Sequence, residues 1–180
     1  SEQELQTFLD AHDGQAVVKT PRGGYDGKGV RVVRAASDAR DWFDAVPSGE
    51  ALLVEELVPF VRELAQQVAR RPSGETVAYP VVETVQRDGV CAEVIAPAPA
   101  AAERLAEVAE SIGVRIAEGL GVTGMLAVAL LETDAERILL NEPAMRPHNS
   151  GHWSHDGAVT GLLEQHLRAV ADLPLGSTAP

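Results

Sequence analysis

The chain has 180 residues, 45% of them hydrophobic, and a formal net charge of −12. That much apolar material can bury the core of one domain, or of a domain with two lobes, while the acidic balance argues against nonspecific binding to nucleic acid or an anionic membrane, which needs a basic surface. No apolar run approaches the roughly 20 residues needed to cross a bilayer, and Ser1-Glu2-Gln3-Glu4 lacks the basic start and apolar stretch of a signal peptide, so a cytoplasmic setting is expected.

In chain order, residues 4–11 predict a short helix, 16–19 a strand entering a glycine-rich loop, and 30–33 a strand leaving it. Ser37 is expected to cap a helix through Trp42 and Phe43, followed by a strand over 51–56. β-Branched residues predict strands over 61–69 and 76–85, and Asp88-Gly89 predicts a hairpin turn into a strand over 90–95. The lone cysteine, Cys91, falls in that strand without a partner and is expected as a buried, inert thiol. Leu105, Val108, Ala109, Ile112, Ile116 and Leu120 recur at helical spacing and predict a helix over 101–120, which Gly121 stops. The apolar run 124–131 predicts a buried strand, with a turn at 134–136 into a strand over 137–142. A last helix is expected to place Val159, Leu162, Leu163, His166 and Val170 on one face. The expected architecture is α+β, a mostly antiparallel sheet flanked by helices, with residues 1–180 forming one continuous domain.

Three segments can carry chemistry. In Lys19-Thr20-Pro21-Arg22-Gly23-Gly24-Tyr25-Asp26-Gly27-Lys28-Gly29, four glycines let backbone amides approach phosphate oxygens, and the chain's only two lysines, Lys19 and Lys28, both fall in this segment. It is not a Walker loop, which opens a helix; a strand follows, so the segment reads as a hairpin lid or an ordinary glycine-rich turn. In Asn141-Glu142-Pro143-Ala144-Met145-Arg146-Pro147-His148-Asn149-Ser150-Gly151-His152-Trp153, Asn141 and Glu142 offer hard oxygens to Mg²⁺, and Arg146 can pair with phosphate or carboxylate. His148, Asn149 and Ser150 can orient a small polar substrate; zinc fits poorly, because no structural-site spacing appears. The other reading is a solvated loop. In Val54-Glu55-Glu56-Leu57-Val58-Pro59-Phe60-Val61-Arg62-Glu63, Glu55 can accept from an exocyclic amine, the backbone around Glu56 and Val58 can meet a purine edge, and Glu63 can hold ribose hydroxyls. Solvent-facing strand positions explain the same alternation.

In this order the segments resemble the ATP-grasp fold and, within it, the 5-(carboxyamino)imidazole ribonucleotide synthetases. Residues 23–29, 146–153, 164–170 and 173–176 carry the likeness, which spans almost the whole chain. The resemblance implies ATP and Mg²⁺ as cofactors and a carbon–nitrogen ligase of purine biosynthesis, acting on bicarbonate and 5-aminoimidazole ribonucleotide. It implies that Lys19 and the loop Gly24, Tyr25, Asp26, Gly27, Lys28, Gly29 and Val30 hold ATP phosphates. Glu55, Glu56, Leu57 and Val58 would hold adenine, Glu63 ribose, and Asn141 and Glu142 the metal and phosphates, with Gln86 also near the nucleotide. Tyr25, Asp26, Arg146 and His148 would serve the ribonucleotide and the carboxyphosphate intermediate, with Asn149 and Ser150 binding substrate. A homodimeric parent enzyme is part of the same expectation.

Three departures accompany the likeness. Ala129 stands where the family has a metal-binding glutamate, and Glu132, three residues on in a strand, points to the other face unless a bulge intervenes. Gln86 replaces a histidine and Thr84 an asparagine. The chain is also shorter than the whole enzyme, so it is expected as the ATP-grasp fragment, weak or inactive alone. The alternatives are another ATP-grasp carboxylate–amine ligase, which the 148–153 string disfavours, and a degenerate nucleotide-binding module.

Overall fold

The structure, a computed structural model, describes residues 1–22, 27–99, 103–135 and 137–180. They form two compact units, Ser1–Pro59 with Asp88–Val90, and Phe60–Arg87 with Cys91–Pro180.

The first unit opens on α1 (Glu2–Ala11), whose Glu4 N–H donates to Ser1 Oγ at 3.3 Å. Strand β1 (Ala16–Lys19) is the centre of a three-stranded antiparallel sheet, between β2 (Val30–Val33) and β3 (Leu53–Glu56). The strand alternation sends Ala16, Val18 and Val33 into a core with Leu5 and Leu9 of α1. A 3-10 turn at Ala36–Ala39 leads into α2 (Arg40–Ala45). Ser37 does not cap it: the Asp38 carboxylate accepts the Arg34 and Ala35 N–H groups at 2.9 and 3.0 Å, because a side chain three residues on reaches back over the turn.

In the second unit, β4 (Arg62–Arg70) runs through a six-stranded antiparallel sheet. Its neighbours are β6 (Val82–Arg87) and β8 (Gly124–Glu132); β7 (Val90–Ile95) and β9 (Ile138–Ala144) lie outside them, and β5 (Thr76–Ala78) pairs with the far end of β4. The strand expected over 76–85 is therefore two strands. Pro80 has no N–H to give a ladder, and Tyr79 N and Val81 O make their own bonds to Gln67 O at 3.0 Å and Ala98 N at 2.9 Å. The hairpin turn falls at Asp88 and Gly89, both with positive φ, as expected.

Helix α3 (Glu103–Gly119) covers one sheet face, packing Leu105, Ala109 and Ala117 on Leu64, Val68, Leu126, Val128 and Leu130. Gly121, φ +60°, follows the helix end as expected. Val108 and Leu120, expected on the apolar face, are exposed. Val108 lies about 100° round the helix from Ala109, and Leu120 lies past the last turn. On the opposite sheet face, α5 (Leu162–Val170) packs Leu162 and Ala169 on Ala69 and Met125. Val159, Leu163 and Val170, expected inside, are exposed; Gln165 is buried instead, its amide making two 2.8 Å bonds to the Gly176 backbone. A polar side chain thus holds a position that an apolar pattern cannot mark.

Candidate functional site

The sheet face opposite α3 carries a pocket at one end. Alternation along β4 puts Glu63, Ala65 and Gln67 on this face, and the register sets Thr84 beside Glu63, Ala129 beside Ala65 and Ala127 beside Gln67. Beyond them, β9 sets Glu142 beside Ala129 and Ala144 beside Ala127. Ala65, Ala127, Ala129 and Ala144 floor a pocket whose polar rim includes Glu63, Thr84, Gln86, Glu142, His148 and Ser150. Methyl side chains leave the space above a strand open, and the polar groups converge around it, as a small-molecule site requires.

Burial pushes the Glu63 carboxyl above the usual carboxylate range, while a hydrogen bond from Gln86 pulls the other way. Cys91 also lines the pocket and is half-buried, not buried as expected, on β7 at the edge of the sheet. Burial first, then the Glu63 charge, pushes its thiol up and so keeps it protonated.

A β-bulge shapes the acidic corner. Leu130 pairs with Leu140 and Ala129 with Glu142, so Asn141 is an extra residue in β9 and the two consecutive residues Asn141 and Glu142 oppose the single Ala129. Beside β4, in contrast, β8 keeps regular register from Ala129 to Glu132. Glu132 accordingly stays off the pocket and forms an ion pair with Arg62, which also reaches Glu83 at 3.2 Å. Glu132 does not stand in for a carboxylate at position 129. Among the described residues, no group of three or more His, Cys, Asp or Glu side chains is placed to hold a metal ion. One carboxylate and one amide oxygen suit a hard cation that takes its remaining ligands from water and phosphate, which fits Mg²⁺.

The strand after the bulge leads to a 3-10 turn at Asn149–Gly151. Ser150 is buried there, 2.9 Å from His148 Nδ1 and 2.7 Å from Gln67 Nε2. Gly151 packs tightly: a Cβ would stand 3.0 Å from Leu162 Cδ1 and 3.2 Å from Gln67 Oε1, so both side chains would have to shift. The short helix α4 (Ser154–Gly157) follows, and its Ser154 Oγ donates to Gly151 O at 2.7 Å and accepts from Leu162 N at 2.9 Å. The turn is thereby tied to both β4 and α5.

The first unit carries its own candidate residues. Its sheet face away from α1 bears Val17, Lys19, Val30, Val32, Leu53 and Glu55 in cross-strand register, with Val30, Val32 and Leu53 exposed. Lys19, largely buried, pairs with Glu55 at 2.6 Å. Thr20 N–H donates to Gly29 O at 2.9 Å, closing the stem below the glycine loop, and Gly27 and Gly29 have φ of +72° and +80°. The result is an apolar platform with an ammonium at its edge.

The structure thus brings Glu63, Gln86, Glu142, His148 and Ser150 around one pocket, and Lys19 and Glu55 into one ion pair. Arg146 is exposed, its guanidinium 3.1 Å from Pro147 O, and Asn149 is half-buried in the turn. Glu56, Leu57 and Val58 lie at and just after the end of β3. Gly24, Tyr25 and Asp26 lie outside the described residues. The motifs missed Gln67 and the alanine floor. Gln66-Gln67 inside the otherwise apolar run 64–69 was the available signal, since uncharged amides in a central strand need partners.

A family model for the ATP-grasp domain matches residues 1–161. The chain is 54% identical over 176 residues to a Mycobacterium bovis protein named N5-carboxyaminoimidazole ribonucleotide synthase, covering 97% of this chain and 41% of that protein. It is similar to the crystal structure of an N5-carboxyaminoimidazole ribonucleotide synthetase complexed with ADP, with TM-score 0.90 and 36% identity over 99% of this chain and 47% of the other. It is also similar to an Aspergillus clavatus N5-carboxyaminoimidazole synthase in complex with ADP and 5-aminoimidazole ribonucleotide, with TM-score 0.86 and 27% identity over 99% of this chain and 46% of the other. The chain therefore spans less than half the length of each of these relatives.

Proposed function

The chain belongs to the ATP-grasp family, and from that premise we propose that it is the ATP-binding part of a carbon–nitrogen ligase, a 5-(carboxyamino)imidazole ribonucleotide synthase of de novo purine biosynthesis. The observation that carries this reading is the 54% identity, over 97% of the chain, to a protein of that name. The alanine-floored pocket rimmed by Glu63, Glu142 and His148 supports it, because it offers carboxylates to hydroxyls and cations and a ring nitrogen to an oxyanion. The parent enzyme works in the cytoplasm as a homodimer on small-molecule substrates.

In the proposed reaction a bicarbonate oxygen attacks the γ-phosphorus of ATP and ADP leaves. Carboxyphosphate then breaks into CO₂ and phosphate, and the 5-amino nitrogen of the ribonucleotide bonds to the CO₂ carbon and loses a proton. Lys19, Lys28 and the backbone amides of residues 24–30 pair with phosphate oxygens. Glu55, Glu56, Leu57 and Val58 receive adenine, and Glu63 with Gln86 receives ribose hydroxyls. Asn141 and Glu142 hold Mg²⁺, which when bound spreads the charge of the transferring phosphoryl group. Arg146, His148, Asn149 and Ser150, with Tyr25 and Asp26, orient the ribonucleotide and the acyl phosphate. Excluding water from that intermediate is the main demand on the site.

The test is ADP release by the full-length parent protein with each substrate omitted in turn. Dependence on both bicarbonate and the ribonucleotide is expected; turnover with formate in place of bicarbonate overturns the assignment in favour of another carboxylate–amine ligase. A second reading, a nucleotide-binding module without turnover, is favoured by the Ala129 methyl opposite Glu142. ATP binding by the full-length protein without ADP release under any substrate combination decides for it.

A further inference from the structure

Gln67 belongs to no motif, yet it is only 1% exposed in the middle of β4, and Ser150 is equally buried. Gln67 Nε2 donates to Ser150 Oγ at 2.7 Å. An amide nitrogen has no acceptor capacity, so the hydroxyl accepts there and its single hydrogen is left for His148 Nδ1, 2.9 Å away. The Ser150 backbone N–H also donates to Nδ1, at 3.4 Å. Two donors converge on one ring nitrogen.

Nδ1 is then the acceptor, and the neutral imidazole carries its proton on Nε2. The same backbone N–H favours this sense of the Gln67 amide, whose buried Oε1 meets no hydrogen-bond donor among the described residues that would decide it. Were the amide turned over, Oε1 would take the Ser150 hydroxyl hydrogen, Nδ1 would have to carry the ring proton, and it would meet the Ser150 N–H donor against donor. Buried donor–donor contacts cost the desolvation of both groups.

We infer that Gln67 is a positioning residue that acts through Ser150 to hold His148 as the Nε2–H tautomer, a neutral hydrogen-bond donor to a phosphate or carboxylate oxygen rather than a base. Protonation at Nδ1 is opposed by two donors, and Nε2 already bears its hydrogen, so the ring takes no proton from a substrate. The identity of the oxyanion rests on the ligase reading. The tautomer is a property of the chain itself.

Long-range proton–nitrogen correlation spectra of the ¹⁵N-labelled chain test this, the His148 signals being those lost in His148→Gln. The native chain is expected to show a protonated Nε2 and an unprotonated Nδ1. In Gln67→Glu the carboxylate can only accept, so Ser150 must donate to it and the ring proton moves to Nδ1. Gln67→Met, close in size and without polar atoms, withdraws the amide donor but leaves the Ser150 backbone N–H on Nδ1, so the protonated-Nε2 population is expected to fall without vanishing. A native ring protonated on Nδ1 overturns the inference, as does the native tautomer persisting in both variants; the native spectrum decides alone if neither variant folds. Nucleotide titration of the same sample separates the two ideas. A native Nε2–H tautomer in a chain that ignores MgATP upholds this inference and counts against the ATP-binding reading, and Nδ1–H in a chain that binds MgATP does the reverse.

Discussion

Glu63 and Ala129 make opposite demands on the same pocket. Glu63 is held above its ordinary range by burial, which means the folded state binds its proton more tightly than the unfolded chain does. The folded state therefore holds more protons between the unfolded value of about 4.3 and the raised one, and this group's contribution to stability falls as pH rises through that window and is flat above it. Glu63→Gln keeps an acceptor for Gln86 and removes the ionisation. Its urea midpoint should exceed that of the native chain at pH 7, with the gap closing near pH 4; an equal gap at both pH values contradicts the assignment. At Ala129 the family likeness implies a carboxylate that this chain lacks. Ala129→Glu would set two like charges directly across β8 and β9, at a cost of about 0.2–1 kcal/mol without metal. In the full-length protein it should raise bicarbonate- and ribonucleotide-dependent ATP hydrolysis, and unchanged hydrolysis would mean that one carboxylate suffices. That Glu132 faces away from position 129 was legible from strand alternation, whereas the carboxylate expected at 129 came only from the family likeness. The raised Glu63 was not, because burial is a property of the assembled sheet.

At the scale of elements, the packing of α3 turns on Gly113. A Cβ there would stand 2.8 Å from both Gln66 Cγ and Val68 Cγ2, two buried side chains of β4. Helix propensity alone favours alanine over glycine by about 1 kcal/mol, whereas overpacking a tight core costs about 1–3 kcal/mol. The neighbours belong to a central strand and cannot retreat, so overpacking should win. Gly113→Ala is expected to lower the urea midpoint, and a raised midpoint would show that helix and sheet can separate. Period and turn chemistry revealed nearly every strand and helix, including the hairpin at Asp88-Gly89. They failed at 76–85, where Pro80 divides a β-rich run, and at α5, where Gln165 is buried beside Leu162 and Ala169 while Leu163 is exposed. The β9 bulge is likewise silent in sequence, since Leu140-Asn141-Glu142 carries no glycine or proline to mark it.

At the scale of the whole molecule, the chain combines an acidic balance of −12 with lysines only at positions 19 and 28. An anionic nucleotide must therefore be held by local cations and by metal, not by the general field. No described helix is long and apolar enough to cross a membrane. Thermal unfolding of the chain with ATP, with and without Mg²⁺, shows whether it binds the nucleotide through the metal. At a hundredfold excess over the dissociation constant, binding adds about 2.7 kcal/mol, and a domain of this size gains about 2–4 °C per kcal/mol. A rise in Tm of several degrees that requires both ATP and Mg²⁺ is expected. An unchanged Tm at millimolar MgATP would contradict ATP binding by this chain.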